Sequence, residues 1–321
     1  MSTGPQQLVG SSESFLAFRR DLERVAGTEV SVLLEGEHGT GKTSAARALH
    51  AASARKSGPL IEVDLSALSP SLLESELFGH LAGAFTGAAG DRLGRFRKAE
   101  GGTLVLEGIE IVPLGLQVKL LRSLQERVIE PLGSEESVPV DVRLVVTSSR
   151  DLSGEVAEGR FREDLFYRLA VVTLQLPPLR TREGDIVPLF ESLAAGVASR
   201  AGVAPRPLSP AAAELLAAHP WPGNVRELEN ALERVMVFAP AGSAPIEAAE
   251  LGFLNEAIDG AADRLAREAL SQGLGLEELS NALLDAALAE ERGNVSAAAR
   301  RVGLSRRAFE YRRAKTEVDE E

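Results

Sequence analysis

The stretch Gly36-Glu37-His38-Gly39-Thr40-Gly41-Lys42-Thr43 decides how this chain folds. It follows a short apolar run, Val30-Ser31-Val32-Leu33-Leu34, whose β-branched residues read as a buried strand. After it, Ser44-Ala45-Ala46-Arg47-Ala48-Leu49-His50 offers good helix formers and no breaker. Strand, glycine-rich turn and helix start are the setting in which a loop cradles phosphate. The glycines let successive backbone N–H groups turn inward onto phosphate oxygens, where side chains would obstruct them. The helix start adds unsatisfied N–H groups and the positive end of its dipole. Gly36, Glu37, Gly39, Thr40, Gly41, Lys42 and Thr43 are therefore expected to bind nucleotide. Lys42 would reach the β- and γ-phosphates, and the Thr43 hydroxyl would complete a Mg²⁺ shell. An accidental glycine-rich turn accounts less well for the strand and helix on either side.

At 321 residues the chain can hold two or three domains and a large core. No apolar run approaches a membrane span, and the polar start Met1-Ser2-Thr3-Gly4-Pro5 is not a signal peptide. Cysteine is absent and the 4 histidines are scattered, so there is no disulfide framework and no zinc pattern. A soluble, cytoplasmic protein without a membrane partner is expected. The net charge of −12 argues against wholesale coating of nucleic acid. Locally the sign reverses: the chain is strongly basic between Arg292 and Lys315, then acidic over Glu317-Val318-Asp319-Glu320-Glu321.

Ahead of the glycine-rich loop, Phe15, Phe18, Leu22 and Val25 recur at helical spacing. A second strand follows at Leu60-Ile61-Glu62-Val63-Asp64, and Ser69-Pro70 marks a helix start. Glu76-Leu77-Phe78-Gly79-His80 then leads to Gly83-Ala84-Phe85-Thr86-Gly87-Ala88, a small-residue loop with one exposed aromatic and little to offer a core. From residue 240 to about 275 the chain is rich in Ala, Gly and Pro and reads as a linker with some helix. Near its end, Asn294 is a good N-cap, Gly303 a helix stop and Ser305 a second N-cap. Two short helices joined by a tight turn make a helix-turn-helix, with Ala298, Val302, Leu304 and Phe309 as its small core. Ser305, Arg306, Arg307, Tyr311, Arg312 and Arg313 are the expected DNA contacts. Arg306 and Arg307 sit where a recognition helix meets base edges, while Arg312 and Arg313 suit phosphates.

The hexapeptide Gly83–Ala88 resembles the signature loop of the AAA+ activators of the sigma-54 form of bacterial RNA polymerase. Glu76–His80 fits that family, and the resemblance runs on without a gap. Gly101–Glu107 resembles its Walker B strand, Pro113–Arg122 the helix after it, and Val142–Leu152 the sensor I strand and loop. Phe161–Leu169 resembles the arginine-finger segment, Leu176–Arg180 opens the helical lid, and Trp221–Leu228 resembles sensor II. The closing segment is similar to a Fis-type helix-turn-helix. The implied fold is α/β: an AAA+ P-loop domain with a parallel sheet, helices on both faces and a small helical lid, then an all-α helix-turn-helix domain. The expected boundaries are residues 1–173 for the nucleotide-binding subdomain, 174–240 for the lid, 241–275 for the linker and 276–321 for DNA binding, with no N-terminal regulatory domain.

The resemblance implies ATP and Mg²⁺ as cofactors, and a homo-oligomeric ring, usually a hexamer, with ATP between subunits. Thr43 and Glu107 would hold the metal, and Arg226 would sense the γ-phosphate. Arg162 and Arg168 would reach the neighbouring subunit's site, although Glu163 and Asp164 beside them also allow plain surface ion pairs. Gly83, Phe85, Thr86 and Gly87 would touch the sigma factor of the polymerase. Promoter or enhancer DNA is the second partner, and a regulator acting in trans is a third.

Several positions depart from the family pattern. Walker B normally ends Asp-Glu, the Asp supporting Mg²⁺ and the Glu polarising water; here the pair is Glu107-Gly108. The switch asparagine is Asp64, and the sensor I asparagine is Ser149. Asp64 or the longer Glu107 could supply the missing carboxylate, so both are candidate catalytic residues. Two readings follow: an ATP-driven activator that remodels sigma-54 polymerase, favoured by the whole loop Gly83–Ala88, and a nucleotide-responsive DNA-bound regulator with little hydrolysis, favoured by Gly108.

Overall fold

The computed structural model describes residues 8–85, 87–88, 90–201, 205–238, 244–254, 269–291 and 293–319. The chain divides into two units, Met1–Gly252 and Phe253–Glu321. In the first, five strands build a parallel sheet: β1 (Val32–Glu35), β2 (Leu60–Asp64), β3 (Thr103–Glu107), β4 (Arg143–Ser148) and β5 (Val172–Gln175). Their order is β2-β3-β4-β1-β5. The sheet is apolar on both faces, which is why its inner strands read as continuous hydrophobic runs. On one face Leu33, Val63, Leu104, Leu106 and Val146 pack against Leu116, Leu120 and Leu165. On the other, Val32, Leu34, Val105 and Val145 meet α1 (Glu13–Ala26) and α2 (Lys42–Ala51) through Phe15, Phe18, Leu22, Ala45 and Leu49. Each fully buried aliphatic or aromatic side chain contributes about 1.5–3 kcal/mol.

The first strand runs later than Val30–Leu34, because Glu35 continues the ladder opposite Ser148 and Gln175. Its carboxylate accepts from Leu152 N–H at 3.1 Å, which makes a buried acid tolerable at a strand end. Val25, expected on the buried face of α1, is half-buried, and Ala26 takes the inner place. Register aligns the ends of the strands: Asp64 lies opposite Glu107, and Glu107 opposite Thr147. Arg143, at the start of β4, is buried and donates to the α1 carbonyls of Val25 at 2.8 Å and Ala26 at 2.9 Å. A cation at a helix C-terminus satisfies orphan carbonyls and opposes the negative end of the dipole.

The lid contains α3 (Ile186–Ala201), α4 (Pro210–Ala218) and α5 (Asn224–Phe238). Residues 244–252, expected within a linker, are packed instead. Ile246 is buried and bridges Leu208, while Arg206 donates to Ala244 O, Pro245 O and the Glu250 carboxylate. The expected linker residues 241–243 and 255–268 lie outside the described residues. The second unit contains α6 (Leu276–Glu290), α7 (Val295–Arg301) and α8 (Arg306–Asp319), which close on Leu284, Ala287, Ala298, Ala299 and Phe309. No helix among the described residues is long and apolar enough to cross a membrane.

A buried carboxylate ties the segment before α1 to the lid. Asp185 is fully buried and accepts from Ser11 N–H at 2.6 Å, Ser12 N–H at 2.9 Å, Ser12 Oγ at 2.8 Å and Arg182 Nε at 3.0 Å. Arg182 also donates to Val9 O at 2.6 Å and lies 3.8 Å from the centre of the Phe15 ring. Burial pushes the Asp185 carboxyl up, but the hydrogen bonds from Ser11, Ser12 and Arg182 outweigh it and hold the group below its ordinary range. A lowered folded value contributes stability above the unfolded range and loses it as pH falls through the folded value. Asp185→Ala strands the Arg182 cation and should cost about 3–5 kcal/mol in thermal or urea unfolding. The difference between wild type and variant should be full at pH 7 and shrink below about pH 4.

Candidate functional site

A cleft of about 430 Å³ opens at the strand ends, with Lys42, Thr43, Asp64, Glu107, Glu110 and Arg226 among its walls. The glycine-rich loop connects β1 to α2, and Lys42 is the first helical residue. Its ammonium donates to the loop carbonyls of Gly36 at 2.7 Å and Glu37 at 2.9 Å. Burial lowers the Lys42 value from its ordinary range, while the nearby Glu110 and Glu107 carboxylates oppose the shift. One residue on, the Thr43 hydroxyl donates to Glu107 Oε2 at 2.7 Å. A helix-start hydroxyl and a strand-end carboxylate thus meet at one point, a hard oxygen pair suited to Mg²⁺.

The lid closes directly on this loop. Asn224 is fully buried in a left-handed conformation (φ +54°) and donates to His38 O at 3.0 Å and Glu37 Oε2 at 3.2 Å. Its side-chain oxygen accepts from Leu179 N–H at 2.7 Å, and Val225 N–H donates to Gly39 O at 2.9 Å. Trp221, also left-handed and buried, anchors the turn by donating from Nε1 to Leu216 O at 2.9 Å. Arg180 makes a two-pronged ion pair with Glu37, which with Asn224 holds that carboxyl down at about 2. Arg180 and Asn224 stand inside motifs that the sequence flags, but their grip on Glu37 needs the fold to appear.

Around the metal-type corner each acid has its own donor. Asp64 accepts from Ser66 N–H at 2.9 Å and Oγ at 2.6 Å, capping the turn Leu65–Ala67. It therefore lies beside Glu107 with its carboxylate already engaged. Gly108 is left-handed (φ +76°, ψ +46°), so a side chain there would strain the backbone. Glu110 was not singled out by sequence, yet it lines the cleft and accepts from Ser149 N–H at 3.0 Å and Oγ at 2.6 Å. The available signal was a carboxylate two residues beyond a strand-end glycine.

Arg162 and Arg168 do not line the cleft. Arg162 pairs with Asp164 at 2.7 Å, and Arg168 donates to Leu124 O at 2.6 Å. Buried Gln117 holds this segment, accepting from Arg162 N–H at 2.8 Å and donating to Val112 O at 2.8 Å. In the Gly83–Ala88 loop, Gly83 N–H donates to Ala88 O and Ala88 N–H to Phe85 O, both at 3.0 Å. Phe85 is exposed at 38%, as expected of the loop's one aromatic, and its ring also meets His80 edge-on at 5.0 Å. Thr86 lies outside the described residues.

In the second unit Asn294 and Ser305 cap α7 and α8 by accepting from Ala297 N–H and Ala308 N–H, each at 3.2 Å. Gly303 turns between them at φ +72°. Arg306, Arg307 and Tyr311 are exposed, and Arg306 pairs with Glu310 at 2.8 Å along its own helix. Arg312 is exposed as well. Arg313, expected on phosphate, instead pairs with Asp285 of α6 at 3.4 Å, because α8 crosses that helix there. Arg292 lies outside the described residues, as does the side chain of Lys315.

A parallel sheet with a phosphate-type loop, a helical lid seated on that loop and a separate helix-turn-helix define the AAA+ class of transcription regulator. The chain matches the sigma-54 interaction domain over residues 8–175, the AAA+ ATPase lid domain over 180–263 and the Fis family of bacterial regulatory proteins over 275–315. It belongs to the sigma-54-dependent transcriptional activators. It is 46% identical over 303 residues to the transcriptional regulatory protein ZraR of Klebsiella oxytoca, covering 94% of this chain and 67% of that protein. It is 49% identical over 228 residues to the C4-dicarboxylate transport transcriptional regulatory protein DctD of Pseudomonas aeruginosa, covering 71% of this chain and 49% of the relative. Among solved structures, NtrX from Brucella abortus in complex with ATP superposes with a TM-score of 0.71 at 35% identity, covering 97% of this chain and 68% of NtrX.

The contact between lid and loop generates a test. A Cβ on Gly39 would lie 2.2 Å from Gly223 O, whereas one on Gly41 meets nothing within 4 Å. Both positions have positive φ, +76° and +102°, so each alanine carries the left-handed cost of about 1–2 kcal/mol. Gly39→Ala must in addition break the seat of the lid. Thermal melts should therefore show Gly39→Ala as clearly the more damaging of the two.

Proposed function

We propose that this chain is a DNA-bound, ATP-driven activator that couples nucleotide turnover in the cleft to contact with sigma-54 polymerase. The observation that carries the reading is the meeting of Thr43 and Glu107 at 2.7 Å beside Lys42, the donor set that Mg-ATP requires. Thr43 and Glu107 would hold Mg²⁺, which would neutralise charge on the phosphate oxygens. Lys42 leaves its loop carbonyls and turns its ammonium to the β- and γ-phosphates, while loop N–H groups receive their oxygens. Arg226, facing the cleft from the lid, reads the γ-phosphate and passes its presence to the lid. The NtrX structure with ATP supports nucleotide binding at this kind of site.

Output runs through the Gly83–Ala88 loop. Phe85 is held by an edge contact with His80 and keeps an exposed face for the sigma factor. Arg162 and Arg168 act across the ring, usually a hexamer, where they neutralise charge in the neighbouring subunit's site; a finger of this kind is worth about 10³–10⁵ in rate. Each must first exchange its present partner, Asp164 or the Leu124 carbonyl, for the neighbour's phosphate. Domain limits at residues 1–173, 174–240, 241–275 and 276–321 belong to this reading, with the packed segment 244–252 moved to the lid.

Two measurements test it. Lys42→Ala should abolish the rise in melting temperature that Mg-ATP gives the wild type; an undiminished rise would move the site elsewhere. In the second unit, exposed Arg307 lies in the first turn of α8. Arg307→Ala should weaken specific DNA binding by about 1–3 kcal/mol and relax sequence preference, read by fluorescence anisotropy on specific and scrambled duplexes.

A further inference from the structure

We propose that Glu110 orients and deprotonates the attacking water, the role for which residue 108 has no side chain; this rests on the nucleotide-site reading above. The backbone makes it possible. Left-handed Gly108 ends β3 and starts the tight turn Ile109–Ile111. That turn sends Ile109 into the core, where it is fully buried, and brings Glu110 back to the cleft wall two residues later. The carboxylate is thus restored to the site by a different position.

The hydrogen bonds at Glu110 are one-sided. Ser149 donates to Oε1 from both its N–H, at 3.0 Å, and its hydroxyl, at 2.6 Å. Oε2 is buried and has no hydrogen-bond partner among the described residues. A buried polar atom left so is costly, so a turn of the carboxylate that brings Oε2 to a donor in the cleft would be favoured. Water on its way to the γ-phosphorus is such a donor. Glu110 is also the carboxylate that acts most strongly on the Lys42 ammonium, ahead of Glu107. Both line the same cleft.

Among the neighbouring acids Glu35 is bonded through both oxygens, to Leu152 N–H and Gln175, while Glu107 meets the Thr43 hydroxyl through Oε2 at the metal-type corner and Asp64 gives Oδ1 to the Ser66 turn. Two departures from the family pattern then become one change. Gly108 removes the carboxylate from the strand end, and Ser149 supplies the short donor that holds the Glu110 substitute by one oxygen.

In the step, the water oxygen forms a bond to the γ-phosphorus as the bond from that phosphorus to the β,γ-bridging oxygen breaks. The bridging oxygen keeps the electron pair and leaves on ADP. The water proton passes to Glu110 Oε2 and from there to the departing inorganic phosphate or solvent, which returns the carboxylate to its charged form.

The test compares full-length wild type with Glu110→Gln and Ser149→Ala, each assayed for Mg-ATP binding and for phosphate release. Glu110→Gln keeps an Oε1 acceptor for Ser149 but cannot take a proton. It should bind Mg-ATP within a few-fold of wild type and release phosphate at least about 10²-fold more slowly. Ser149→Ala keeps the backbone donor and should lower kcat several-fold with KM unchanged, the mark of a loosened rather than missing base. The proposal is overturned if Glu110→Gln binds and hydrolyses like wild type, or if wild type binds Mg-ATP without any turnover. Failure of wild type to bind Mg-ATP at all would instead overturn the nucleotide-site reading, and this one with it.

Discussion

The close approach of two backbones, Gly39 in the phosphate-type loop and Gly223 in the lid turn, is the constraint on which the rest of the first unit depends. A Cβ on Gly39 would lie 2.2 Å from Gly223 O, so the two segments touch without any side chain between them. Val225 N–H bonds Gly39 O across this contact, and Asn224 bonds His38 O and Leu179 N–H from the same turn. The glycine-rich loop and the helix that carries Arg226 are thus joined backbone to backbone.

A second organising feature is the distribution of negative charge at the strand ends. Glu35, Asp64, Glu107 and Glu110 all gather near the cleft, where like charges at short range repel strongly in a partly dry site. Each is held apart by a local donor, and Lys42 stands among them as the facing cation. Burial raises the Glu35 carboxyl, with repulsion from Asp151 and Glu110 adding to it, which marks the cost of the crowding. Nucleotide phosphates would add more negative charge to this corner, and a divalent cation between Thr43 and Glu107 would offset it.

The second unit obeys simpler rules. Its small core of Leu284, Ala287, Ala298, Ala299 and Phe309 leaves much of the basic face of α8 in solvent. Small alanines at the crossing let the helices approach closely, and capping by Asn294 and Ser305 sharpens both helix starts. Arg313 pairs with Asp285, while Arg306 and Arg307 near the start of α8 remain exposed.

The sequence by itself determined the elements and the nucleotide-type loop. The period of its apolar residues, the glycines of Gly36–Gly41 and the caps at Asn294 and Ser305 are local signals, set by backbone conformation and hydrogen bonding within a few residues. Lys42, Thr43, Asp64, Glu107 and Arg226 were legible as one constellation for the same reason, each standing in a short motif. What only the tertiary structure decided is which groups are already engaged. Asp64 gives one carboxylate oxygen to Ser66, Phe85 rests one edge on His80 while staying exposed, and Arg313 pairs with Asp285. Glu110 reads as an ordinary surface acid until the left-handed turn at Gly108 carries it to Ser149, 39 residues away in sequence. Such partnerships are long-range and pairwise, and they come into being when the chain closes on itself.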